Sequence, residues 1–431
     1  MPNNLEPTQN ELKALIDKTE AYLRTGLLPF WIDRCLDAEC GGALTYFDGH
    51  GHPTGETDKP FLMQARVLYT MASAHRAGYG DGRCAEIATT VARFMLDHYW
   101  DDEFGGWYWI ADRKGMPQVT DKVGYGQCFA IYAFSEFALA TGNAEGREAA
   151  LRSYSAVCQH MADTRHGGFF ELMARDWQPK PGGRFGGDRK SLDVHMHMME
   201  AMTNLYEMTG HPTHRRRLLE IIDLILARMV HPVNGLGYMQ FSLDWTPLAP
   251  IMFATDWGRD AEQGGGLRGP LDLTSPGHNV EFFWLLLHAA DIVGIPRQQF
   301  APVVENLGRH CVTLGIDAEF GGVYADVPMD RPAAQPEKQF WQQAEVLIGI
   351  LDAYALLGNA AYWRAFRNVC DFVFGHLVAM DGRGEWYERV DRAGTPIDSA
   401  LGHAWKNGYH TVRSMIQTVC RLKQLAAASV H

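Results

Sequence analysis

The 431-residue sequence predicts an all-α protein, an (α/α)6 barrel whose helices are joined at one end by short β-hairpins. Three observations predict it. A glycine-and-aromatic motif recurs six times along the chain; the segments between motifs alternate between half-apolar and almost wholly apolar; and each apolar segment begins with polar or titratable residues.

The motif reads "ECGGALTYFD" at 39–48, "EFGGWYWIAD" at 103–112, "RHGGFFELMA" at 165–174, "NGLGYMQFSL" at 234–243, "EFGGVYADVP" at 319–328 and "GRGEWYERVD" at 382–391. A glycine pair or near-pair followed by a short alternating run predicts a tight turn opening a hairpin. With Gly42, Gly106, Gly168, Gly237, Gly322 and Gly384 as markers, successive spacings run from 62 to 85 residues. A repeat of this size over nearly the whole chain predicts one closed domain, residues 1–431, where length alone would suggest two or three.

Before each marker lies an amphipathic segment with one wet face, as in "CAEIATTVARFMLDHYW" (84–100) and "YWRAFRNVCDFVFGHLV" (362–378). After each marker comes a more uniformly apolar one. In chain order these are "FLMQARVLYTMASAHRAG", "YGQCFAIYAFSEFALATG", "LDVHMHMMEAMTNLYEMTG", "HNVEFFWLLLHAADIVG", "FWQQAEVLIGILDAYALLG" and "WKNGYHTVRSMIQTVCRL". Several end in glycine, as helix C-caps do. Helices apolar nearly all round belong inside, so six inner helices ringed by six outer ones follow. The longest spacing, Gly237 to Gly322, carries its excess in the Gly/Pro-rich stretch 244–277, placed as a lid over whatever the next helix presents.

The formal charge of −12 is spread through the sequence, and "HRRRLLE" at 214–220 is its one compact basic run, so neither nucleic acid nor a membrane surface is an expected partner. Eight scattered cysteines without a CxxC pair, and the lack of an apolar leader or long apolar span, predict a cytoplasmic protein with reduced thiols.

The inner helices begin with Gln64 and Arg66, Tyr125 and Gln127, Asp193 with His195 and His197, His278 and Glu281, Trp341 with Gln342 and Glu345, and Trp405 with His410. Polar groups at buried positions are costly unless they satisfy each other or line a wet cavity. In a barrel these ends converge, which predicts one deep polar pocket. His197, His278 and His410 are its candidate acids and bases. His278 follows "TSPG" at a helix N-terminus, where the dipole disfavours the cation and predicts a neutral base, with Glu281 on the same face to orient it or bind substrate. In "DVHMHMME", Asp193 and His197 share a face and His195 points almost oppositely, so only one of the two histidines faces inward. No metal is expected, because HExxH and paired cysteines are missing and His-x-His suits a strand better than a helix. Trp341 and Trp405 read equally as core aromatics and as sugar-stacking platforms.

"YGQCFAIYAFSE" (125–136), "KSLDVHMHMMEAMTNLY" (190–206), "SPGHNVEFFWLL" (275–286), "FWQQAE" (340–345) and "WKNGYHTVR" (405–413) resemble the N-acylglucosamine 2-epimerase superfamily, nearest its cellobiose and mannose 2-epimerase branches. The resemblance implies cofactor-free inversion at C2 of a reducing aldose, with His278 and His410 as the two general acid/bases. It implies that His197 assists ring opening and moves protons between O1 and O2, that Arg66 meets the enediolate oxygens, and that Tyr125, Glu281, Trp341 and Trp405 shape the sugar site. Two general bases suit the chemistry, which removes a proton from one face of a planar enediolate and returns one to the other. The cellobiose enzymes carry Asn where this chain has Asp193, and Trp-Trp where it has Phe340-Trp341. With the long lid, these departures point to a small sugar, D-mannose or D-glucose, on a monomer or homodimer. Asp256, in the lid's "FATDWGRD", is expected to pair with Arg66 on closure. The alternatives are a cellobiose or mannobiose 2-epimerase, a mannose–fructose isomerase, and an inverting glycosidase built on Glu281, Glu345 and Asp193.

Overall fold

A computed structural model describes residues 6–182, 187–249, 271–333, 336–382 and 384–428. Outer and inner helices alternate in chain order: α1 (Gln9–Tyr22) with α2 (Leu28–Arg34), then α3 (Phe61–Arg76), α4 (Arg83–His98), α5 (Gly124–Thr141), α6 (Ala144–Ala156), α7 (Leu192–Thr209), α8 (Pro212–Arg228), α9 (Pro276–Val293), α10 (Ala301–His310), α11 (Phe340–Leu357), α12 (Ala360–Phe372) and α13 (Gly408–Ala428). The odd-numbered helices from α3 onward are the inner ones. Each packs on the next, and α13 packs back on α3, so the ring closes. This is the (α/α)6 barrel that the alternation of apolar and amphipathic segments predicts. Helix α5 is buried continuously from Gly124 to Phe137, whereas outer α4 buries only one stripe. Four inner helices stop at a glycine in the left-handed region, Gly142, Gly210, Gly294 and Gly358, where any Cβ would be strained.

The hairpins sit slightly later than the glycine pairs predict. In the second repeat Gly105 and Gly106 have φ of +73° and +74° and close a turn in which Asp101 N–H donates to Gly106 O at 2.9 Å. A Cβ on Gly106 would lie 2.5 Å from the Trp177 ring. This turn is sealed by a single bridge, Trp100 to Trp107, and the same one-residue bridge recurs after every outer helix. The hairpin proper is Ile110–Ala111 against Pro117–Val119, and its first strand also pairs with Lys59–Pro60, which leads into the preceding inner helix. The ladders therefore stitch neighbouring repeats together instead of closing each repeat on itself.

A buried lysine stands two residues before most inner helices and points at the aspartate of its own turn. Lys59 reaches Asp37 at 3.0 Å, Lys122 reaches Asp101 at 3.0 Å, Lys190 reaches Asp163 at 2.7 Å and Lys338 reaches Asp317 at 3.3 Å. Arg113, Arg175 and Arg392, each from the following repeat, add a second cation to Asp37, Asp101 and Asp317. Desolvation opposes burying such charges, and these are repaid by turn carbonyls such as Gly41 O, 2.6 Å from Lys59 Nζ. The fourth repeat has His231 and Thr274 at the equivalent places, and Thr274 donates to Gly237 O.

The insertion at 244–277 is anchored at both ends. Pro247–Leu248 pairs with the 240–241 strand, and Leu273–Thr274 pairs with Val327–Pro328. Its interior, including Asp256 and the expected Asp256–Arg66 contact, lies outside the described residues. Among the described residues, no helix is long and apolar enough to cross a membrane.

Candidate active site

The polar helix starts divide into two sets with different jobs. The fourth residue of each inner helix, Gln64, Gln127, His195, Asn279, Gln343 and Thr411, turns outward to the glycine turn of its own repeat. Gln64 Oε1 accepts from Ala43 N at 2.7 Å, Gln127 Oε1 from Trp107 N at 3.0 Å, His195 Nε2 from Phe169 N at 3.0 Å, and Gln343 Oε1 from Val323 N at 2.7 Å. Thr411 does this through Glu385, whose carboxylate takes Trp386 N. These residues satisfy backbone groups that would otherwise be orphaned. The recurring polar positions that predict a pocket are thus partly clamps, and His195 is one of them.

Two residues further, about 200° around the helix, the sixth positions face the barrel axis: Arg66, Phe129, His197, Glu281, Glu345 and Arg413. Arg413 is the hub. Its guanidinium bonds Glu200, Glu281 at 2.9 Å and Glu345 at 2.7 Å, so one cation holds three buried carboxylates. Glu281 is therefore held by Arg413 rather than set against His278. Burial, followed by the charge of Glu345, raises the Glu281 carboxyl. Sequence reasoning missed Arg413, Glu200 and Tyr409. The signal available was spacing: Glu200 and Arg413 each follow a pocket histidine by three residues in otherwise apolar helix.

His197 lies between two carboxylates, with Nε2 3.2 Å from Asp193 and Nδ1 2.9 Å from Glu200. Burial opposes its cation, but the bonds to Asp193 and Glu200 outweigh burial and push it up to about 10. For Asp193, burial alone would raise the carboxyl, yet His197 and then His278 hold it well below the usual carboxylate range. A histidine raised on folding adds stability that is complete below its unfolded value, near 6.5, and lost as pH climbs through its folded value. The stability gap between the protein and a His197→Gln variant should therefore be widest below about pH 6.5 and close by about pH 10. Thermal unfolding across that range checks it; a gap that stays constant would mean that His197 carries no resident charge.

His278 and His410 flank a single indole. The Trp341 ring lies 4.5 Å from the His278 ring and 5.8 Å from that of His410. Their electrostatics differ. His278 Nε2 is 3.6 Å from Asp193, and that carboxylate outweighs burial and raises the imidazole above its ordinary value. This reverses the neutral His278 that the helix dipole predicts, because a carboxylate at contact distance outweighs partial charges at the helix end. Burial, then Arg66 and Arg413, hold His410 well below the ordinary range. Its Nδ1 lies 2.7 Å from Glu345 Oε1, which as an acceptor leaves the lone pair on Nε2. The site thus pairs a histidine biased towards the cation with one biased towards the free base.

Arg66 is anchored by the Trp405 carbonyl at 2.6 Å and the Tyr125 hydroxyl at 3.1 Å. Tyr125 in turn reaches Asp193 at 3.4 Å, and Trp405 stands edge-on to Tyr125. The described site residues named by the sequence therefore converge: Arg66, Tyr125, Asp193, His197, His278, Glu281, Trp341, Trp405 and His410. A metal finds three donors within 4.8 Å only at Glu281, Glu345 and His410 among the described residues, and the guanidinium of Arg413 already neutralises those carboxylates and would repel a dication.

Residues 42–414 match the family model for N-acylglucosamine 2-epimerase. The chain belongs to this family. Its class is therefore carbohydrate epimerase, an isomerase. A cellobiose 2-epimerase from Bacteroides fragilis is 28% identical over 94% of this chain and 98% of its own length. A D-mannose isomerase from Marinomonas mediterranea is 24% identical over 93% of this chain and 94% of its own. The solved cellobiose 2-epimerase of Spirochaeta thermophila superposes with a TM-score of 0.82 at 27% identity, covering 98% of this chain and 99% of that one.

Proposed function

We propose that the protein interconverts D-mannose and D-glucose by proton transfer at C2. The observation that carries this is the pair His278 and His410, flanking one indole with opposite electrostatic bias. In one direction His410 takes the C2 proton through Nε2, the electron pair forms the C1–C2 double bond of a cis-enediolate, and the imidazolium of His278 returns a proton to the opposite face. The reverse reaction exchanges the roles. Arg66, with donors beyond those given to Trp405 and Tyr125, offsets the charge on the enediolate oxygens. His197, bonded on both nitrogens to carboxylates, acts on O1 and O2 through Asp193.

A single ring is favoured because Phe340 is buried, under Lys406 and edge-on to His410, and offers no exposed face for a second sugar. The second reading, epimerisation of the reducing end of cellobiose or mannobiose, is supported by the similarity to the cellobiose 2-epimerases. Proton NMR of the purified protein with D-mannose in D2O separates these readings. Glucose carrying deuterium at C2 is expected. Fructose would assign the enediolate to aldose–ketose isomerisation, and turnover of the disaccharides alone would give the site to them.

A further inference from the structure

Two-base epimerisation leaves a debt of protons. After each turnover the base that took the C2 proton is charged and the base that gave one is neutral; before the same direction can repeat, one proton must leave to water and one must arrive. If the next sugar already fills the pocket, the front mouth is closed to this exchange. The far end of the barrel is open. There the second halves of α3, α5, α7, α9 and α13 enclose a cavity of about 290 Å³. At its floor lies Glu200, and its rim includes Arg76, Glu207 and Cys420, all in contact with solvent.

Glu200 belongs to both ends. Its Oε2 is 2.9 Å from His197 Nδ1, His197 Nε2 is 3.2 Å from Asp193, and Asp193 is 3.6 Å from His278 Nε2. Glu200 and the two imidazoles can each give or take a proton, and Asp193, whose carboxyl is held low, passes one on in concert with the histidines on either side. Arg413 also lines the cavity, but it stays charged and passes none on. On the cavity wall Glu136 is held by Arg76 at 3.2 Å and by Asn204 at 3.0 Å. Burial raises its carboxyl to about 7, which suits a group that trades protons near neutrality.

We propose that this rear cavity is a solvent port through which His278 exchanges protons with bulk water, by way of Asp193, His197 and Glu200, while a sugar occupies the front pocket. The proposal rests on the epimerase reading above. When His278 gives its proton to C2, the port returns one from bulk water and the proton gained by His410 leaves as product departs; in the reverse direction the port carries off the proton that His278 took and His410 regains one as product departs.

Ser73→Phe and Cys420→Phe each place bulk in the cavity, from α3 and from α13, without touching the front pocket. In D2O, the deuterium appearing at C2 of recovered, unconverted sugar, starting from the epimer that His278 deprotonates, reports exchange at His278 inside the occupied site. Plugging the port should lower that wash-in, and lower kcat at saturating sugar by about fivefold or more while kcat/KM stays within about twofold. A purely structural defect would reduce both kinetic constants together. Unchanged wash-in and kcat in both variants, or an equal fall in kcat and kcat/KM in both, overturns the port. Wild-type protein that places no deuterium in mannose, cellobiose or mannobiose overturns the epimerase reading instead, and the port with it.

Discussion

In a His410→Ala variant, conversion of one sugar into its C2 epimer is expected to fall by about 10²–10⁴-fold, the usual contribution of a positioned acid or base. One of the two epimers should nevertheless continue to exchange its C2 proton with solvent, because His278 still serves one face. His278→Ala should show the complementary pattern, exchanging the other epimer. The asymmetry follows from the geometry. His410 is hydrogen-bonded to Glu345, and His278 faces Asp193, which it shares with His197, so loss of one histidine leaves the other beside its carboxylate. Deuterium incorporation into each pure epimer reads the result directly. Were either single variant to retain epimerisation near the wild-type rate, or were both to lose exchange of both epimers, the two-base assignment would fail.

Arg413→Met is expected to be among the most destabilising substitutions in the protein, costing about 3–5 kcal/mol, as removal of one partner from a buried ionic cluster does. The methionine fills similar volume but leaves Glu281 and Glu345 facing one another without the Arg413 charge, while Glu200 keeps only His197. Adding Glu281→Gln removes one of those charges and should restore part of the loss, so the double variant should melt above the single one. The order of melting temperatures in calorimetry decides this. A single variant as stable as wild type, or a double variant less stable than the single, would mean that Arg413 does not neutralise the cluster.

Much of the barrel was legible because its signal is repetition. Glycine markers, apolar inner segments and polar helix starts each recur six times, and no single instance had to be trusted. That His195 and His197 point to opposite sides follows from helical angle alone. What could not be read was which polar start serves the backbone and which the pocket, since Gln64 and Arg66 are two residues apart and differ only in direction. The upward bias of His278 is not legible for a related reason: its neighbour Asp193 comes from a different helix, and contacts between helices leave no spacing in the chain. Arg413, Glu200 and Glu345 lie on three helices and meet only when the ring closes. The lysine-to-aspartate links were in plain view at a fixed offset before the inner helices, but a buried lysine is rare enough that such a residue reads as surface.

Those links also bear on how the molecule comes apart. In the first, second and fifth turns one aspartate is gripped by the lysine of its own repeat and by an arginine of the next, so neither unit can open without exposing a charge in the other. Units braced in this way are expected to exchange their amide hydrogens together, as one foldon. The fourth turn has His231 and Thr274 in place of the charged pair, and it lies just before α9, the helix that carries His278. Sub-global opening is therefore expected to start at the fourth turn, beside the helix that carries His278, while the braced first and second turns stay closed.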